Sequence, residues 1–172
     1  MGRRDSANAV DFLAGACQRI DLLFTRLRPL NALVERKAAF RELTHEIAVI
    51  GRVEEDVLYP ALSTLLSTEE LDELLVERDA VQLLLHDLGE DLDSTLFEGK
   101  LQVLREEIRH LFDQQRTMLL TKEISSAVDP LALGQQMIER RAELLGEVQE
   151  MGPVLIQDSP HYRAHYRVRF NA

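Results

Sequence analysis

Apolar residues recur every three or four positions along most of the chain, in rows broken by proline, glycine and clusters of Ser, Thr and Asp. Val10, Leu13, Cys17, Ile20 and Phe24 make one helical face. They predict a helix from about Ala7 to Leu27, capped by Asp5 or Ser6 and ended before Pro29. Phe40, Leu43, Ile47, Ile50, Glu54 and Val57 predict a second helix from about Asn31 to Leu58, which Pro60 kinks or ends. Ser67, with Glu70 three residues on, is a capping box that opens a third. Its face is Leu71, Leu74, Arg78, Val81, Leu85 and Leu88, and it closes between Asp91 and Ser94. The fourth, from about Glu98 to Lys122, carries Leu101, Leu104, Ile108, Leu111, Gln115 and Met118. The fifth follows Asp129-Pro130 and reaches about Met151, before Gly152-Pro153.

These elements predict an all-α protein. Short connections among the first four helices place consecutive ones antiparallel, as an up-down-up-down four-helix bundle with a fifth helix appended. A globin-like arrangement of shorter helices is the structural alternative. Residues 1–151 form the bundle, and residues 152–172 form a tail of different character. From Ser159 onward the tail holds Arg163, Arg167 and Arg169 and no acid, whereas the chain as a whole carries −10. His161-Tyr162-Arg163 and His165-Tyr166-Arg167 suit an extended strap lying on an acidic bundle, with aromatic bodies down and polar tips wet. A partner-binding or metal-binding tag is the other reading of the two His.

Net charge of −10 argues against broad binding to nucleic acid or anionic membranes. The apolar runs are too short for a membrane span, and the N-terminus has no apolar core of a secretory signal. Cys17 is the single cysteine, so no internal disulfide forms, which suits a reducing cytoplasm. Arginine outnumbers lysine 17 to 3, a hint of a GC-rich bacterial genome. No Gly-rich phosphate loop, Ser-His-Asp set or Cys/His zinc spacing is present.

Each of the first four helices has a non-aliphatic residue within its apolar face: Cys17, Glu54, Arg78 and Gln115. Antiparallel helices of similar length bring their midpoints to one height, so these four are expected to meet. A lone buried charge is costly, and a carboxylate and a guanidinium answer each other's needs. We expect an internal Glu54–Arg78 ion pair, with Gln115 and the Cys17 thiol completing its hydrogen bonds. Each residue also has a plainer reading: Arg78 reaching a bundle edge, Gln115 at a rim, Cys17 as small core filler.

The run Val53-Glu54-Glu55-Asp56-Val57-Leu58-Tyr59-Pro60-Ala61-Leu62 resembles the HxxxEE…YPAL signature of hemerythrin-like (HHE) domains. Asp11-Phe12-Leu13 with Arg19 to Phe24 is similar to that family's first helix, and Leu104-Arg105-Glu106-Glu107-Ile108 to the approach to its fourth. The resemblance covers about Val10 to Leu120 and implies a four-helix bundle that ordinarily holds non-haem di-iron. It also implies that the ligand positions have changed. Cys17, Ile50, Arg78 and Leu111 stand where the family has histidines, Gln115 where it has a carboxylate, and Glu54 alone remains. His110, His45 and His86 flank the apolar faces and are expected at the surface or boundary.

The expectation is therefore a metal-free, non-enzymatic relative that binds or regulates through an unnamed protein partner, with no cofactor, no nucleic acid and no membrane. The alternative is a metal-binding (non-haem iron) or thiol redox protein using Cys17 and Glu54, with Arg78 lowering the thiol pKa. A small-ligand pocket where the metals would lie is a third reading.

Overall fold

The computed structural model describes residues 7–151, and side chains as far as residue 146. The described residues are helical, with no strand. Tail residues 152–172, the Gly152-Pro153 stop, and Asp5 and Ser6 lie outside them.

Helix α1 spans Ala9–Leu27. Its cap is Asn8, not Asp5 or Ser6. The Asn8 side chain accepts from the Asp11 amide at 2.9 Å and Asp11 returns the bond, a reciprocal box two or three residues inside the expected caps. Helix α2 spans Leu33–Val53, and its first amides have no side-chain cap. It does not end at Leu58. The backbone widens into a π-helical turn, Glu54–Leu58, and continues as α3, Tyr59–Leu62. Tyr59 N–H reaches back to the Glu54 carbonyl, five residues away. Pro60 has no N–H to give, and the wider turn lets the helix pass it.

Helix α4, Thr68–Glu90, opens on the Ser67–Glu70 capping box. Helix α5, Phe97–Leu119, starts one residue before and ends three residues before the expected bounds, Glu98 and Lys122. Thr121 caps a new short helix α6, Lys122–Ala127, instead of extending α5. Helix α7, Pro130–Met151, starts with proline at its first position, and the Asp129 carboxylate accepts from the Leu131 amide.

Ion pairs, with one histidine–carboxylate contact, set the directions. Arg19–Glu46 and Arg26–Glu42 run α1 against α2. Lys100–Asp87 and His110–Glu77 run α4 against α5, and Arg28–Glu98 with Arg105–Asp21 runs α1 against α5. Arg36 donates to the Leu92 carbonyl past the end of α4, so α2 and α4 are also opposed. Between these helices lie Leu13, Leu27, Leu43, Leu74, Leu88 and Leu104, all buried. Each such side chain contributes roughly 1.5–3 kcal/mol.

Helix α7 lies on α1, α2 and the π turn. It buries Leu133, Met137 and Leu144, and Arg141 grips both oxygens of Glu46 at 2.9 Å. Its start presses on the first residues of α1. A Cβ on Gly134 would stand 2.7 Å from the Ala9 nitrogen. Only glycine permits that approach.

Candidate functional site

Glu54, Arg78 and Gln115 come from three helices and meet inside the bundle. Glu54 is the first residue of the π turn and is buried. Arg78 reaches it from the middle of α4, with Nη1 donating to Glu54 Oε2 at 3.1 Å. The same Nη1 donates to the Gly51 carbonyl at 2.6 Å. The other terminal nitrogen, Nη2, pairs with Glu55 Oε1 at 2.9 Å. The guanidinium thus bridges two adjacent carboxylates and a backbone oxygen, a use of its fork that lysine cannot copy.

Two residues of this arrangement carry no signal as charges in an apolar row. Gly51 is one: its bare Cα leaves the space that the guanidinium fills. A glycine inside a helical pattern is a sign of close packing, and that sign was available. Tyr59 is the other. Its hydroxyl donates to Glu54 Oε2 at 3.4 Å and accepts from Gln115 Nε2 at 3.2 Å, so Gln115 reaches Glu54 through it. Gln115 is fully buried, and its Oε1 has no hydrogen-bond partner among the described residues.

Cys17 does not join them. It is half-buried near Asp21, Asp113, Arg109 and Arg116. The register explains why. Glu54 lies eight residues beyond Glu46, and Glu46 pairs with Arg19, so the matching height on antiparallel α1 is near Phe12. The cluster sits at the middle of α4 but toward one end of α1, α2 and α5. The inward face of α1 is also rotated, with Leu13, Ala16 and Ile20 on it, so Ala16 is the small residue inside. Burial, with Asp21 adding to it, pushes the Cys17 thiol up, opposite to the lowered value expected beside a cation.

Ile50 and Leu111 are buried apolar residues of the core. His110 is exposed, 3.7 Å from Glu77, and His86 is exposed. His45 is half-buried, with its Nε2 lacking a partner among the described residues.

Burial raises the Glu54 pKa above the ordinary carboxylate value, against the opposing pull of Arg78, Gln115 and Tyr59. Burial also works against the Arg78 charge, but Glu54, Tyr59 and Glu55 outweigh it and its pKa rises. Tyr59 is pushed far up by burial and by Glu54, so it acts as a hydrogen-bond donor and not as an acid.

The charges continue outward. Glu55 also meets Arg52 at 3.1 Å, Arg52 meets Asp56 at 3.1 Å, and Asp56 meets Arg140 of α7 at 2.9 Å. A row of alternating charges therefore leads from the core to the appended helix.

Comparison with protein-family models, curated proteins and solved structures finds no match.

Iron of the type the sequence resemblance implies needs several imidazoles and carboxylates directed at one point. Among the described residues no three His, Cys, Asp or Glu are so grouped. The two carboxylates at the cluster, Glu54 and Glu55, are both paired with Arg78, and Ile50 and Leu111 offer no donor atom. The donor set does not fit the metal.

Proposed function

We propose that the chain is a metal-free relative of hemerythrin-like proteins, with a non-enzymatic binding or regulatory role exerted on a protein partner in the cytoplasm. Its four long helices, α1, α2, α4 and α5, make an up-down-up-down bundle, a reading supported by opposed ion pairs along three of their interfaces and an opposed hydrogen bond along the fourth. The observation that carries the proposal is the Arg78 guanidinium 3.1 Å from Glu54. A cation that belongs to the chain takes the place of a bound one and cross-braces α2 to α4. The interior then holds a carboxyl–guanidinium pair and a tyrosine that acts as a hydrogen-bond donor. With that space filled by the chain's own side chains, the role falls to the surface.

The experiment is elemental analysis of the purified chain, as isolated and after anaerobic incubation with Fe(II), Mn(II) and Zn(II). Far less than one metal per chain is expected in every case. Stoichiometric retention of any of them after desalting would refute the proposal.

A further inference from the structure

The outer side of α4 is unlike the rest of the surface. Thr68–Glu90 holds eight acidic side chains, and its one basic residue, Arg78, is turned inward. Asp72, Glu73, Asp79 and Glu90 have no cationic partner among the described residues. Two large aliphatic side chains stand among them: Val76 is 63% exposed and Leu83 is 49% exposed. Seven residues apart, they share one helical face. A helix that leaves aliphatics bare between unpaired acids presents half of an interface.

The other half is in the same chain. Residues 159–172 carry Arg163, Arg167 and Arg169, no acid, and the aromatics Tyr162, Tyr166 and Phe170. Charge and apolar content are both complementary to the α4 face. The connection is long enough. Gly134 lies at the start of α1, and α7 then runs alongside α1, so Met151 falls at the end where α1 and α4 both finish. The linker, residues 152–158, spans up to about 23 Å when extended. That exceeds the roughly 20 Å across two packed helices.

We propose that the basic aromatic segment, residues 159–172, docks on the outer face of α4 of its own chain and covers Val76 and Leu83. Tethering favours the same chain over a second copy, because a short linker holds the segment at millimolar effective concentration. The inference stands independently of the metal-free reading, since it uses only the surface.

The chain has no tryptophan, so a Phe170→Trp variant of the full chain reports on the segment alone. Its emission is expected to be blue-shifted relative to a peptide of residues 159–172 carrying the same substitution. The shift is expected to persist on dilution from micromolar to nanomolar. It is expected to vanish when Val76→Lys and Leu83→Lys are added, and again with Asp72→Lys and Asp79→Lys should the first pair unfold the bundle by circular dichroism. Peptide-like emission in the full chain, or a shift indifferent to both pairs, overturns the proposal. A shift lost on dilution overturns it in favour of a second copy.

Discussion

Gly51 and Arg78 are shaped for each other. The guanidinium lies against the bare Cα of Gly51 and donates to that residue's carbonyl at 2.6 Å. A methyl group there would stand 2.8 Å from the Arg78 Cζ. Alanine is ordinarily favoured over glycine inside a helix by about 1 kcal/mol. Here the sign is expected to reverse. Gly51→Ala forces the guanidinium away from Glu54 and should destabilise by about 1–3 kcal/mol, the usual cost of overpacking. Urea denaturation measures it. Gly99 has open space where its Cβ would be, so Gly99→Ala is the control that should stabilise or do nothing. A stabilised Gly51→Ala protein would show that Arg78 is not held there.

Arg78→Ala strands a buried carboxylate. Glu54 would keep only neutral partners, the Tyr59 hydroxyl at 3.4 Å and the Gln115 amide. Removing one partner of a buried pair costs about 3–5 kcal/mol, whereas replacing both by apolar residues is often close to neutral. Thermal unfolding should therefore rank Arg78→Leu with Glu54→Leu well above Arg78→Ala. Glu55 survives the double change, since Arg52 still holds it at 3.1 Å. Equal melting of the single and double variants would mean that the pair is not an isolated unit.

The Glu54–Arg78–Gln115 meeting was legible because charges in an apolar row must find one another. Gly51 left only the faint sign of a glycine within a helical pattern, and Tyr59 left none. Gly51 acts by what it lacks, and Tyr59 looks like ordinary core until its hydroxyl is placed. The π turn was hidden because one extra residue per turn leaves no mark in composition. It does shift the inward face, and Leu58 is buried where the period pointed to Val57. Cys17 was misplaced by assuming that midpoints coincide, whereas register depends on where each helix starts and stops. The break after Leu119 carried a readable signal, a threonine cap followed by Lys122-Glu123-Ile124. The apolar row running through Met118 masked it.

Asp21 and Glu54 should respond to pH in opposite senses. Burial favours a higher Asp21 pKa, but hydrogen bonds from Arg109 and Arg105 outweigh it and hold the carboxyl below its ordinary 3.8. A depressed folded-state pKa gives stability that is present above the unfolded value and lost as pH falls through the folded one. Burial raises Glu54 above 4.5, so its contribution is fullest below that value and declines as pH rises. In urea titrations at a series of pH values, the deficit of Asp21→Asn should be largest near neutrality and shrink in acid. Glu54→Gln should gain ground on the unaltered chain as pH rises above 4.5. A deficit for Asp21→Asn that is constant with pH would remove the two arginines as its cause.

Docking of α7 rests on one contact that cannot yield. At Gly134 the opposing atoms are the backbone of Ala7, Asn8 and Ala9, not the tip of a flexible side chain. Gly134→Ala should therefore lever the start of α7 away from α1, even though alanine raises helix propensity. Leu133 and Met137 lie on either side of that point and are buried, so their cover would be lost in part. Loss of one such burial is worth roughly 1.5–3 kcal/mol. The Glu46–Arg141 and Asp56–Arg140 pairs lie further along α7 and should keep the rest of it attached. Hydrogen exchange is the suitable measurement. Amides of 131–137 should exchange faster in Gly134→Ala while those of α4 and α5 keep their protection. The matching change at Gly146, where a methyl meets nothing within 4 Å, should leave every amide as it was or slow those around it. Uniform acceleration across all helices in Gly134→Ala would instead make α7 an inseparable part of the bundle.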